Sequence, residues 1–487
     1  MRALGIPASL IRSLPPLDKN HLSGANARLE QEPHVNDRPN SLAARDIAYY
    51  FHPATNARRH EQVGPMMIER GEGVYVFDDQ GKSYIEGLAG LWSVAVGFGE
   101  PRLVKAAAEQ MAKLPYYHSF AHKSHPSATK LADRLVGMAP GMAKAHFTSS
   151  GSEANDLVLK MIWYYNNALG RPQKKKIISR QKAYHGVSIA SGSLSGLPNF
   201  HRDFDLPLPF VKHVSCPNHW RFGQPGEGEE EFATRLANEL EQTILGEGAD
   251  TVAAFFGEPV MGAGGVMPPP RTYWEKVQAV CRRHDVLIVA DEVITGFGRT
   301  GNMFGCQTYD IAPDFMVVSK ALTSSYFPLS AILFTDPIYQ TLADNSNKIG
   351  VFGHGFTASG HPVGTAIALE NLDIIEERDL VGAAARLAPQ FQARVRGFAD
   401  HPLVGEARGV GLIGALEFVA DKRTKAAFDP PGSLGAEIAE LCHEEGLIIR
   451  AIGDVVAFCP PLIITPREID DLFDRFGRAL KRLPAAA

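Results

Sequence analysis

A chain of 487 residues, 45% hydrophobic and 21% charged, has the apolar material for two or more domains around a large core. Its 49 basic and 54 acidic residues leave a formal charge of −5, too small an imbalance to point to nucleic acid or an anionic membrane. No apolar run is long enough to span a bilayer. The five cysteines (Cys216, Cys281, Cys306, Cys442, Cys459) lack any C-x-x-C spacing, so a reducing cytoplasm fits better than an oxidising compartment.

Residues 1–41 read as an irregular N-terminal extension. Its first stretch, Met1 to Pro16, carries Arg2 and Arg12 and no acid, and is read as a disordered tail or over-long start rather than a transit peptide. The alternating run Gly73 to Gly81 ends in a turn and predicts a hairpin, within a segment (42–95) expected to join a smaller domain. Pro101 to Leu114 predicts a helix with Leu103, Ala107, Met111 and Leu114 on one stripe. Further on, the apolar runs at Lys176, Val252, Val286 and Phe315 alternate with helical stretches such as Tyr273 to Arg283. Continuous apolar runs suit strands buried on both faces, so an α/β domain with a mainly parallel sheet, seven-stranded by the resemblance given below, is expected over 96–353. After about Gly353 the pattern changes to long helices (Pro362 to Glu377, Gly382 to Phe398) and a few strands (Gly411 to Phe418, Leu447 to Arg450), a smaller α+β domain over 354–487.

Three segments carry chemistry. In Phe147-Thr-Ser-Ser-Gly-Ser-Glu-Ala-Asn155 a strand runs through small residues into a helix, and Ser150-x-x-Glu153 has capping-box spacing. Such a helix start binds phosphate, although a merely well-capped helix reads equally well from this segment alone. Asp291 ends the apolar run Val286 to Ala290, where open α/β sheets bind ligands, and a carboxylate buried there needs a partner such as a protonated pyridine nitrogen. Lys320 ends the run Asp314 to Ser319. Poor solvation there disfavours its ammonium form and frees a nucleophilic amine, as a Schiff-base lysine requires; taken alone, a snorkelling surface lysine is the simpler reading. Together the three describe a pyridoxal-phosphate site. Tyr184, in Tyr-His-Gly186, supplies an aromatic to stack on the ring, and Val293, two residues past Asp291, covers the other face by strand alternation.

The stretches Asp291 to Gly301, Ser319 to Tyr326 and His354 to Pro362 resemble the class III aminotransferases, and among them the amine:pyruvate (omega) transaminases. The resemblance runs from about Ala48 to about Leu480. It implies fold type I of the pyridoxal-phosphate enzymes, a homodimer with shared active sites, and room for a dimer of dimers. It implies the Schiff base on Lys320 and the pyridine-nitrogen contact on Asp291. Phosphate contacts fall on Ser150, Gly151, Ser152 and, from the neighbouring subunit, Thr357; Glu258 joins the cofactor shell. Tyr184 matches the stacking position, Trp92 a substrate-pocket position, and Arg450 the arginine that binds the keto-acid carboxylate and swings aside for an amine lacking one. The activity implied is transfer of an amino group from a primary amine to a keto acid, pyruvate giving alanine. Decarboxylases, aminomutases and racemases share the fold and stand as the alternative.

Three positions depart from the family pattern: Ala54, Ala121 and Ala358 stand where relatives often carry aromatics. Each removes a ring's volume, which suits a long or bulky amine such as a polyamine or an amino-alcohol, unless Phe51 and Tyr117 fill the space. Gly296-Phe-Gly-Arg-Thr-Gly301 matches a dinucleotide fingerprint, but no amphipathic helix opens from it, so a nicotinamide dehydrogenase is the remote reading. His118, His122 and His125 are read as pocket-lining or surface histidines rather than zinc ligands, and no metal is expected.

Overall fold

The computed structural model describes residues 40–483, so the tail of residues 1–39, including the Met1–Pro16 stretch, lies outside the described residues. The chain divides into two units, the first ending at Ile68 and the second starting at Glu69.

The first unit carries two short helices, α1 (Leu42–Tyr49) and α2 (Ala57–Val63). The Ser41 hydroxyl caps α1 by accepting from the Ala44 N–H, and the Asn56 side chain caps α2 by accepting from the Arg59 N–H. Neither helix has a buried residue.

The second unit is built on a seven-stranded sheet in the spatial order Lys144–Thr148, Ser330–Phe334, Phe315–Val318, Leu287–Asp291, Val252–Gly257, Lys176–Arg180, Val211–Val214. The last five strands pair in parallel. Ser330–Phe334 is antiparallel to both its neighbours, so Lys144–Thr148 runs the same way as the parallel five. The apolar runs become strands buried on both faces; every residue of Val252–Gly257 is buried. Each buried Val, Leu, Ile or Phe there contributes roughly 1.5–3 kcal/mol. Helices cover the sheet, among them Gly151–Ala168, Glu229–Glu247 and Tyr273–Arg283.

The hairpin forms from Tyr75–Asp78 and Ser83–Glu86, and its second strand pairs in parallel with Leu447–Ile448. A further antiparallel sheet joins Val404–Val410, Ile413–Phe418, Val455–Phe458 and Arg450–Ile452. The single strand expected over Leu447 to Arg450 is therefore two, in different sheets. Leu447–Ile448 pairs with the hairpin and Arg450–Ile452 turns to pair with Val455–Phe458. The helical stripe at Pro101–Lys113 is also shorter than expected. Leu103 is buried and Ala107 packs on the core, but the last turn lies free and Met111 is 54% exposed.

Candidate active site

Because six of the seven strands run one way, Thr148, Val318, Asp291, Gly257 and Arg180 all end at one edge of the sheet. The segments leaving that edge carry Ser150 to Ser152, Lys320, Asp291, Glu258 and Tyr184, in the crevice where open α/β sheets bind ligands.

Ser150 caps the helix Gly151–Ala168, its Oγ accepting from the Glu153 N–H at 3.2 Å. The Glu153 carboxylate accepts from the Ser149 N–H at 2.8 Å, one residue before the position a capping box requires. Gly151 and Ser152 open the helix, where the first N–H groups have no intrahelical acceptor and face an incoming anion. The approach is close. A Cβ on Gly151 would meet Val293 Cγ2 at 3.3 Å, and one on Gly186 (φ +136°) would meet Ser152 Oγ at 2.6 Å. A side chain at Gly186 would also be strained, so glycine is required where this turn crosses the helix start.

Asp291 is buried and held on both oxygens. Oδ2 accepts from Asn155 Nδ2 at 2.9 Å and pairs with His185 Nδ1 at 2.8 Å; Oδ1 accepts from the Val293 N–H at 3.1 Å. Asn155 Nδ2 also donates to the His185 carbonyl at 2.7 Å, locking helix, loop and strand end together. Neither Asn155 nor His185 was assigned a role from sequence. An asparagine on an otherwise apolar helix face and a histidine beside Tyr184 were the available signals. Val293 does not owe its place to strand alternation: the strand ends at Asp291, and the bond to Asp291 Oδ1 sets Val293 in the turn beyond.

Lys320 begins a tight turn, Lys320–Leu322, with φ +46°. Asn371 clamps that turn by donating to the carbonyls of Ala321 (2.8 Å) and Leu322 (3.1 Å). The side chain is enclosed by protein while part of its surface stays open. Burial pushes its pKa down to about 8, with Asp291 and Glu258 opposing the fall. A depressed amine is the better nucleophile near neutrality. Apoprotein should therefore react with an added aldehyde at a rate that climbs through about pH 8, not near the ordinary lysine value of 10.5. Stopped-flow absorbance during cofactor uptake measures this. The sign for stability agrees. Native protein loses this proton before the unfolded chain does, so the lysine's contribution to stability rises with pH between the two values.

Glu258 is buried, and burial raises its pKa. Its oxygens accept from the Tyr184 N–H (3.2 Å) and the Gly262 N–H (2.9 Å), fixing the Tyr184 backbone. Tyr184 and Arg450 lie within electrostatic reach of each other. Burial raises the tyrosine and lowers the arginine, and each partner opposes the other's shift. Trp92 is buried against Leu88, Ile294, Val455 and Cys459. The loops carrying Ala121 and Thr357 pack together: the Tyr116 hydroxyl donates to the Thr357 carbonyl at 2.9 Å, and Phe120 lies against Gly355. Ala121, Thr357 and Ala358 are exposed, and Ala54 belongs to the first unit. Lys320 and Trp92 have left-handed backbones (φ +46° and +65°). Such strain persists where the surroundings over-determine it.

The Gly296 to Gly301 loop leads only into a four-residue helix, Gly305–Thr308, whose first N–H groups donate to Glu292. His125 is engaged with Ser127 Oγ and the Gly360 carbonyl.

The family model for class III aminotransferases matches residues 55–480. The chain belongs to that family. It is a transaminase of fold type I, and class III aminotransferases use pyridoxal 5′-phosphate. Among solved structures, the omega transaminase from Pseudomonas jessenii in complex with PMP is 59% identical, with a TM-score of 0.90 over 91% of this chain and 98% of that one. A thermostable omega transaminase variant engineered for asymmetric synthesis of enantiopure bulky amines is 58% identical at the same TM-score and coverage. Among curated proteins, a probable gamma-aminobutyrate transaminase 3, mitochondrial, from Oryza sativa subsp. indica is 52% identical over 88% of this chain and 84% of its own length. The gamma aminobutyrate transaminase 3, chloroplastic, of Solanum lycopersicum is 50% identical over 91% and 86%. The class III cofactor suits the residues present: a glycine-bearing helix start for a phosphate, a buried carboxylate with unused acceptor capacity, and a deprotonatable lysine at the same edge.

Proposed function

We propose that this aminotransferase takes the amino group of a primary amine and passes it to pyruvate, giving alanine. The observation that carries this reading is the convergence of Lys320, Asp291 and Glu258 at one edge of the seven-stranded sheet, with Arg450 from another sheet within electrostatic reach of the lysine. The cofactor, when bound, supplies an electron sink for charge developing at the substrate carbon. Lys320 anchors it through Nζ and, once released, moves the proton at the amine-bearing carbon. Asp291 keeps the pyridine nitrogen charged. Ser150, Gly151 and Ser152 hold the phosphate, and Tyr184 and Val293 flank the ring. Arg450 grips the carboxylate of the keto acid with its planar fork, and Trp92 bounds the substrate pocket.

The same reading makes the enzyme a cytoplasmic homodimer in which Thr357 serves the neighbouring subunit's phosphate. It assigns the cofactor to a large domain over 96–353, with 42–95 and 354–487 forming the smaller one. No helix among the described residues is long and apolar enough to cross a membrane.

The alanines at 54, 121 and 358 favour a donor that is long or bulky. A second donor, γ-aminobutyrate, is favoured by the names of the curated relatives; its carboxylate would engage Arg450 as the keto acid does. A matrix of donors against pyruvate and 2-oxoglutarate, scored by alanine or glutamate formed, tests both. Long or bulky amines with pyruvate should give the highest kcat/KM. Ala54→Phe or Ala121→Phe should then cut activity on large amines by about tenfold or more, the scale of a lost pocket contact, and spare small ones. Equal loss on both, or a preference for 2-oxoglutarate, would reject the assignment.

A further inference from the structure

Asp46 on α1, His52 in the connecting loop and His60 on α2 converge on one point in the first unit. Asp46 Oδ1 lies 2.8 Å from His52 Nε2 and 2.9 Å from His60 Nε2, and the three ligand atoms all fall within 4.8 Å of one another. All three side chains are largely shielded, and the imidazole rings stand 4.3 Å apart, centroid to centroid. His52 and His60 also line a cavity shared with Tyr50, Thr55 and Glu61, which gives an ion a path to them. Neither α1 nor α2 buries a residue, so the helices have no apolar core of their own to fix their angle.

We propose that Asp46, His52 and His60 form a zinc site that ties the two helices of the first unit together. Two imidazole nitrogens and one carboxylate oxygen are a zinc donor set, leaving a fourth position for water. Tetrahedral ligands about 2.0–2.1 Å from zinc stand about 3.3 Å apart, so Asp46 Oδ1 opens from each histidine nitrogen by only about half an ångström to admit the ion. With zinc bound, both Nε2 atoms present lone pairs instead of protons, and each Nδ1 carries the ring hydrogen. The ligands are other residues than those assigned to transamination, although His52 stands two residues before Ala54.

The test uses the full-length holoenzyme, stripped with a chelator, loaded with zinc sulfate and gel-filtered. Plasma mass spectrometry should find one zinc ion per chain. His52→Gln, His60→Gln and Asp46→Asn should each lose it with unchanged far-ultraviolet circular dichroism, while Glu61→Gln, on the same cavity, retains it. Zinc should also slow limited proteolysis of the 50–56 loop in the wild type and not in Asp46→Asn. Cobalt loading provides a second readout, visible absorption bands of a low-coordinate site that are absent from the variants. Wild-type protein that retains no zinc, or ligand variants that retain as much as the wild type, would overturn the proposal and leave a hydrogen-bonded histidine–aspartate cluster.

Discussion

Lys320→Ala should lower turnover by at least about 10,000-fold, because the proposed function gives one amine both the anchoring of the cofactor and the movement of the substrate proton. The fold should survive. The tight turn at Lys320 is held by backbone bonds to its carbonyl from Thr323 and Ser325 and by Asn371, none of which involves the ammonium. Removing a depressed, enclosed amine also relieves a desolvation cost. The variant should bind cofactor without a covalent bond: after borohydride treatment, intact-mass spectrometry finds the added pyridoxyl mass on wild type and none on the variant. Turnover within about tenfold of wild type would reject the assignment of both roles to this lysine.

The second large effect is expected at Asp291, where two substitutions separate charge from scaffolding. Asp291→Asn keeps one oxygen for Asn155 Nδ2 and for His185, removes the negative charge and gives up the acceptor for the Val293 N–H. It should cost about 10²- to 10³-fold in kcat, the scale of losing one preorganised electrostatic contact, with a smaller fall in Tm than Asp291→Ala. Asp291→Ala loses the charge and also strands three donors, Asn155 Nδ2, the His185 ring and the Val293 N–H. It should add a stability loss of about 1–3 kcal/mol, read by denaturant titration. If Asp291→Asn turned over normally, the carboxylate would be a scaffold for the Asn155–His185 link and nothing more.

These expectations draw unequally on sequence and structure. Lys320, Asp291 and the Gly151–Ser152 helix start were legible because each closes a recognisable local pattern: an apolar strand followed by a residue that is costly to leave in a buried setting. The residues that hold them were not. Asn155, His185 and Asn371 look like ordinary polar residues along the chain. They act through contacts spanning 136, 106 and 50 positions in sequence. The same limit explains Asp46, His52 and His60: their irregular spacing matches no ligand motif, and only the pairing of two short helices brings their atoms together.

By itself, then, the sequence determined the sheet, since two-sided burial of strands demands continuous apolar runs, and it pointed to the candidate site residues at their ends. Tertiary structure alone decided three things. It split Leu447–Arg450 between two sheets, because each half finds a different hydrogen-bonding neighbour. It reversed the one strand, Ser330–Phe334, that leaves six others pointing the site residues to a common edge. It also placed Lys320 and Trp92 in left-handed backbone, a conformation that local propensity disfavours and that surrounding packing and hydrogen bonds sustain.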